Sequence, residues 1–157
     1  MANRILSIDP GGKTGLYFTD TDSKKEQFLE INSPWKETYQ EIKQLIAKWK
    51  VNLVLYENIN FINHRSKDSL NLIRLLGAIE CLTVKKVESM NVLKVKEMSK
   101  ALFAGKIKIP ELEYLPGRGK GWMWKGKWPK DPNLNKGERI SIHCLEAYLV
   151  WYLWNKQ

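Results

Sequence analysis

Four side chains in this sequence have the types and positions to hold a hard metal ion. Asp9 closes the β-type run RILSID at 4–9, and Glu57 follows the run VNLVLY at 51–56. Each acid is therefore predicted at the C-terminal end of a central strand, the edge where open α/β sheets bind their ligands. Two carboxylates meeting there repel each other unless a cation lies between them. Mg²⁺ and Mn²⁺ both suit such an oxygen-rich site. The other two candidates lie in the run IHCLEAYLVWYLW from Ile142 to Trp154, where only His143 and Glu146 are strongly polar. Three apart, they are neighbours on one helix face. A helix apolar around its circumference is buried, and a buried charge needs a partner or a metal. Each feature alone has a plain structural reading: strand-end acids that cap helices or face solvent, and a His–Glu pair that satisfies itself. Together they predict one pocket with four metal-competent side chains.

The elements that must position these residues can be read in order. Residues 4–9, 15–20 and 26–31 are predicted strands, the last two joined by the turn Asp20-Thr21-Asp22-Ser23 as an antiparallel hairpin. A helix follows, with Ser33 at its cap and Pro34 in its first turn. Its residues Trp35, Tyr39, Ile42, Ile46 and Trp49 step by four and three along one stripe. The run 51–56 reads as a strand buried on both faces. From about 69 to 87 a second helix is apolar over a wide band, which is either core or half of a subunit contact. A strand is expected within 88–95, a short helix over 96–104, and a last helix from about Glu138 to Asn155. This order makes an α/β domain with helices on both faces of a mixed sheet, the first three strands antiparallel and the later ones parallel. It is the order of ribonuclease-H-like nucleases. The chain is expected to be one domain over 1–157, with no internal repeat.

The segments IDPGGKTGLY at 8–17, YENINF at 56–61 and HCLEAYLVWYL at 143–153 together resemble the RuvC-type Holliday junction resolvases. The likeness is loose over 4–100, good over the final helix, and absent over 105–137. The first element alone is less specific, since actin-like kinases and ATPases use a similar turn for phosphate. Those enzymes close two lobes on a nucleotide, and 157 residues supply one. The resemblance implies a homodimeric, metal-dependent endonuclease that introduces paired nicks across a four-way junction. It assigns Asp9, Glu57, His143 and Glu146 to the catalytic metal site, with Glu146 where the family usually has Asp. Two ions about 4 Å apart activate water and steady the leaving oxygen in such enzymes. Asp9 would bridge them, Glu57 would hold one, and His143 with Glu146 would complete the shell or orient the water. A ligating His143 must be neutral, so activity is expected to fall as pH drops through about 6.5. The compact chain with a divergent loop fits a phage-type member.

Charge points to the same kind of partner. The net charge is +9, of which residues 1–80 carry +1 and residues 81–157 carry +8. A one-sided positive field suits a polyanion, most commonly nucleic acid. Much of the excess lies in YLPGRGKGWMWKGKWPK at 114–130, inside a Gly-, Pro-, Lys- and Trp-rich stretch of little periodicity at 105–137. Arg118, Lys120, Lys125 and Lys127 are candidate phosphate contacts there, and Trp122 and Trp124 candidate base-stacking residues. The alternative is a solvated loop whose tryptophans fold back on the core. Phe61 lies near where the family places an aromatic wedge, although an ordinary core phenylalanine fits equally. Lys13, Arg65 and Lys67 are further phosphate candidates.

Composition removes other classes. With 43% hydrophobic and 27% charged residues the chain is globular rather than disordered. No apolar stretch is long enough to span a membrane, and the N-terminus lacks a signal-peptide pattern. Cys81 and Cys144 both lie in apolar helical patterns and are expected as free buried thiols, with no CxxC zinc motif. A reducing, cytoplasmic setting (bacterial, or a host cell's if phage-encoded) is expected. Two further readings stand beside the resolvase: another ribonuclease-H-like nuclease cutting forks, flaps or RNA–DNA hybrids, and a non-catalytic nucleic-acid-binding module.

Overall fold

The computed structural model describes residues 4–59, 66–115, 121–124 and 139–157, with backbone alone at 114–115, 121–124 and 139. Strands β1 (Arg4–Asp9), β2 (Thr14–Asp20) and β3 (Lys25–Ile31) form an antiparallel meander. After helix α1 (Trp35–Trp49), strand β4 (Leu53–Asn58) pairs parallel with β1. After helix α2 (Lys67–Glu80), strand β5 (Lys86–Asn91) pairs parallel with β4. The five-stranded sheet thus runs β3-β2-β1-β4-β5. Helix α3 (Val92–Phe103) follows, and a second sheet of order β6-β7-β8 is built from Leu112–Leu115, Gly121–Trp124 and Arg139–Ile140. Helix α4 (Ile142–Asn155) ends the chain. The main sheet is the mixed sheet expected from the sequence.

Strand alternation decides what each face carries. In β1, Leu6 and Ile8 pack towards α1 and α2, with Val54 and Tyr56 of β4 beside them. Ile5 of β1 and Leu53 and Leu55 of β4 pack on the other face, against α4. Side chains on a strand alternate faces, so two-residue steps from Ile5 and Leu55 bring Asp9 and Glu57 to the α4 face. In the parallel register Ile8 lies opposite Tyr56, so the two acids end neighbouring strands side by side.

Several boundaries differ from the sequence reading. Pro34, not Ser33, holds the cap position of α1; the Ser33 carbonyl instead accepts the Thr38 hydroxyl at 3.0 Å. Helix α2 stops at Glu80 rather than 87, because residues 86–91 are taken into the ladder with β4. Cys81 therefore caps an exposed helix end and is itself exposed, whereas Cys144 is buried. The strand and helix read at 88–95 and 96–104 begin earlier, at Lys86 and Val92, the latter fixed by Asn91 Oδ1 accepting the Leu93 N–H at 2.8 Å. Helix α4 starts at Ile142 rather than about 138: Ser141 caps it by accepting the Cys144 N–H, and Arg139–Ile140 pair with β7. Strands β6 and β7 fall within the stretch read as lacking pattern. There Trp122 lies opposite Ile140 and Trp124 opposite Leu112 in register, and both Ile140 and Leu112 belong to the core.

Candidate active site

The β1–β2 connection brings α4 onto the sheet. Gly15 in β2 lies against the first turn of α4, where an added Cβ would sit 2.0 Å from the His143 carbonyl oxygen. Real side chains never come so close, so glycine is the residue that lets this helix approach. The turn at Gly11 is tied by the Thr14 hydroxyl, which donates to the Gly11 carbonyl at 3.2 Å. Burial then fixes the helix: residues Cys144 to Val150 are all buried, and Tyr148 meets the Tyr17 ring edge-on at 5.1 Å. Glu146 is carried inward with them.

Asp9, Glu57 and Glu146 converge as a result. One ligand atom from each lies within 4.8 Å of the others, and the three residues are only 7%, 3% and 7% exposed. Glu57 Oε2 is buried with no hydrogen-bond partner among the described residues. Burial, with the Asp9 charge beside it, pushes the Glu57 carboxyl up to about 8. Carboxylates this close repel one another unless a proton or a cation lies among them. A hard cation with oxygen ligands is the natural complement, and the orphaned Oε2 supplies a free lone pair for it.

His143 adjoins this group without belonging to the three-acid set. Its Nδ1 is 3.1 Å from Asp9 Oδ2, which leaves Nε2 as the ring atom free to face a ligand or water. The bond from Asp9 outweighs burial and raises the His143 value above the ordinary 6.5. In the metal-free site the imidazole therefore becomes neutral at higher pH than the sequence suggested.

A fifth group was not anticipated. Lys96 of α3 forms an ion pair with Glu146 Oε2, and its Nζ is 3.9 Å from Glu57 Oε1. Burial works against its charge, but the bond to Glu146 and the neighbouring Glu57 and Asp9 hold its value above the ordinary lysine one. It stands where the missing positive charge is needed. Nothing in the sequence singles it out among 26 basic residues; only the packing of α3 against α4 brings it in.

The candidate DNA contacts are placed less completely. Lys13 and Lys67 are exposed, on the β1–β2 turn and at the start of α2. Trp122 and Trp124 lie on β7. Phe61, Arg65, Arg118, Lys120, Lys125 and Lys127 lie outside the described residues. No helix is long and apolar enough to cross a membrane among the described residues.

The sequence matches no protein-family model and no curated protein. Solved structures do match. RuvC of T. thermophilus in complex with a Holliday junction substrate superposes with a TM-score of 0.52 at 16% identity, covering 94% of this chain and 89% of that one. A second T. thermophilus RuvC structure gives 0.50 at 16%, covering 94% and 90%. The yeast mitochondrial Holliday junction resolvase Ydc2 gives 0.50 at 14%, covering 95% and 76%. The chain has the ribonuclease-H-like fold of the RuvC-type resolvases, with its buried carboxylates at the C-terminal ends of the inner strands β1 and β4 and on α4.

Proposed function

We propose that this chain is a metal-dependent endonuclease that cuts branched DNA, with the four-way junction as its preferred substrate. One observation carries the reading: three carboxylates from β1, β4 and α4 are buried together, and one oxygen of Glu57 has no hydrogen-bond partner among the described residues. Burying like charges is costly unless they serve a cation. Asp9, Glu57 and Glu146 would hold Mg²⁺ or Mn²⁺, two ions being expected on the analogy of two-metal nucleases. A bound divalent ion supplies a nucleophilic water at neutral pH and neutralises charge developing at phosphorus.

The chain's own groups do the rest. Asp9 orients His143 through Nδ1, and the free Nε2 can take a proton from, or position, the attacking water. Lys96 offsets the carboxylate charge before the ion binds and offers its ammonium to the incoming phosphate. Lys13 and Lys67, with Arg65, Arg118, Lys120, Lys125 and Lys127, are assigned to phosphates. Phe61, Trp122 and Trp124 are assigned to exposed bases. The whole chain acts as one domain, and the band of α2 pairs two copies so that both strands are cut. The fold likeness to RuvC bound to a junction supports this substrate over flaps and hybrids.

The test is a substrate panel of four-way junction, Y-fork, RNA–DNA hybrid and linear duplex, each with and without Mg²⁺. Mg²⁺-dependent cutting of the junction in preference to the others is expected. Preference for the hybrid or fork would transfer the same residues to that substrate, and binding without cutting would leave a non-catalytic module.

A further inference from the structure

The turn that leaves Asp9 has a second side. On the α1/α2 face of the sheet, this turn and the beginnings of α1 and α2 enclose a groove of about 310 Å³. Trp35, Leu72 and Leu75 supply apolar surface, Gly11 and Gly12 supply backbone, and Asp68 and Asn71 supply polar groups. The volume falls at the low end of about 300–1,000 Å³, the range of small-molecule clefts.

The lining chemistry narrows the ligand. Among the described residues no cation lines the groove, and Asp68 would repel a phosphate placed inside it. A planar ring bearing N–H and C=O groups fits better. Its face can lie on Trp35 and Leu72, while its edge meets Asp68 as acceptor and Asn71 as donor. Asn71 is poised for this, because its Oδ1 accepts from Arg74 at 3.5 Å and its N–H groups have no partner among the described residues. Exposed lysines neighbour the lining residues in sequence. Lys13 follows Gly12, Lys67 precedes Asp68, and Lys36 Nζ lies 5.9 Å from the centre of the Trp35 ring. An interior of one aromatic ring, apolar surface and an acid, with lysines next to it in sequence, suits a nucleotide whose base enters and whose phosphate stays outside. The groove is also close to the acids, since the Cα of Gly11 is at most about 7.6 Å from that of Asp9 across two peptide units.

We propose that the groove is a subsite for one unpaired nucleobase of the DNA strand crossing the carboxylate group. The identity of that strand rests on the nuclease reading above. Turning a base out of a stacked duplex costs a few kcal/mol and least where it is already unpaired. The subsite would therefore favour cutting where a branch point frees a base, and its pairings with Asp68 and Asn71 would favour bases that carry both N–H and C=O groups.

The test moves a single abasic site through the branch of a synthetic four-way junction, one nucleotide at a time. Wild type is compared with Asn71→Ala and Gly12→Leu; a Cβ at Gly12 meets nothing within 4 Å, so a side chain there crowds the groove without straining the fold. One abasic position is expected to slow the wild type about tenfold. Both variants should cut the intact junction about tenfold more slowly, with no further loss at that abasic position. Equal rates at every abasic position, or variant and abasic effects that multiply, would overturn the proposal. A second readout needs no nuclease activity. With dTMP or dCMP added at millimolar concentration, amide resonances of Gly12, Trp35 and Asn71 should shift in the wild type and not in Gly12→Leu. Shifts there without cleavage of any branched DNA would uphold the groove and sink the nuclease. Cleavage with neither shifts nor a sensitive abasic position would do the reverse.

Discussion

The two faces of the five-stranded sheet are covered by opposite kinds of helix. On one face α1 is amphipathic: Ile42 is buried and most of its charged residues are exposed. On the other, α4 is apolar nearly all round, and its one acid, Glu146, goes into the interior with it. A charge on the first kind of helix costs nothing and says nothing. On the second it needs a partner, so a charge on the apolar helix is the one that points to function on its own.

The sharpest way to break that contrast is through glycine. Gly15→Ala places a Cβ against the His143 backbone and should push α4 off the sheet, abolishing metal binding and costing about 3 kcal/mol or more. Gly12→Ala, three residues away, meets open space and should melt as the wild type does. Thermal melts of the pair check this; equal stability would show that α4 does not depend on the close approach.

Next come matched cavities. Leu145→Ala under α4 and Ile42→Ala under α1 remove fully buried side chains, and each should cost about 2–5 kcal/mol in denaturant unfolding. Only the first should also weaken divalent-ion affinity, since only it loosens the helix carrying Glu146. Equal effects on affinity would erase the distinction between the faces.

A smaller effect separates them by pH. Glu57 titrates near 8 in the folded protein against an ordinary 4.5. The native state thus holds the extra proton between those values, and stability of the metal-free protein should fall as pH rises through that window. His143, also raised, acts in the same direction, its contribution lost as pH rises through its folded value. Glu57→Gln should flatten much of the slope and be the more stable protein at pH 8, by a few kcal/mol at most. Melting temperatures from pH 5 to 8, with and without Mg²⁺, measure it. A slope unchanged by the substitution would mean the carboxylate is not strained.

The contrast also explains what could be read from the sequence. Strand ends and two-residue alternation follow from local pattern, so Asp9 and Glu57 could be assigned to one edge. The wholly apolar run around Glu146 announced burial by itself. Lys96 could not be found this way: its approach to Glu146 spans 50 residues and depends on how α3 packs on α4. The end of α2 was misread for a related reason. Its helical periodicity continues past Glu80, and only the long-range pairing of Lys86–Asn91 with β4 ends it. Likewise β8 has two residues and exists through its partner β7, leaving no periodicity to detect.

The central claim is that the buried acids are a metal centre for phosphodiester cleavage. Single-turnover cleavage of a four-way junction, followed as Mg²⁺ is titrated into wild type and Asp9→Asn, tests it most directly. The account predicts saturable Mg²⁺-dependent nicking by the wild type and a loss of at least about 10³-fold in Asp9→Asn, with junction binding retained. Cleavage by Asp9→Asn at the wild-type rate, or wild-type cleavage indifferent to Mg²⁺, would contradict it.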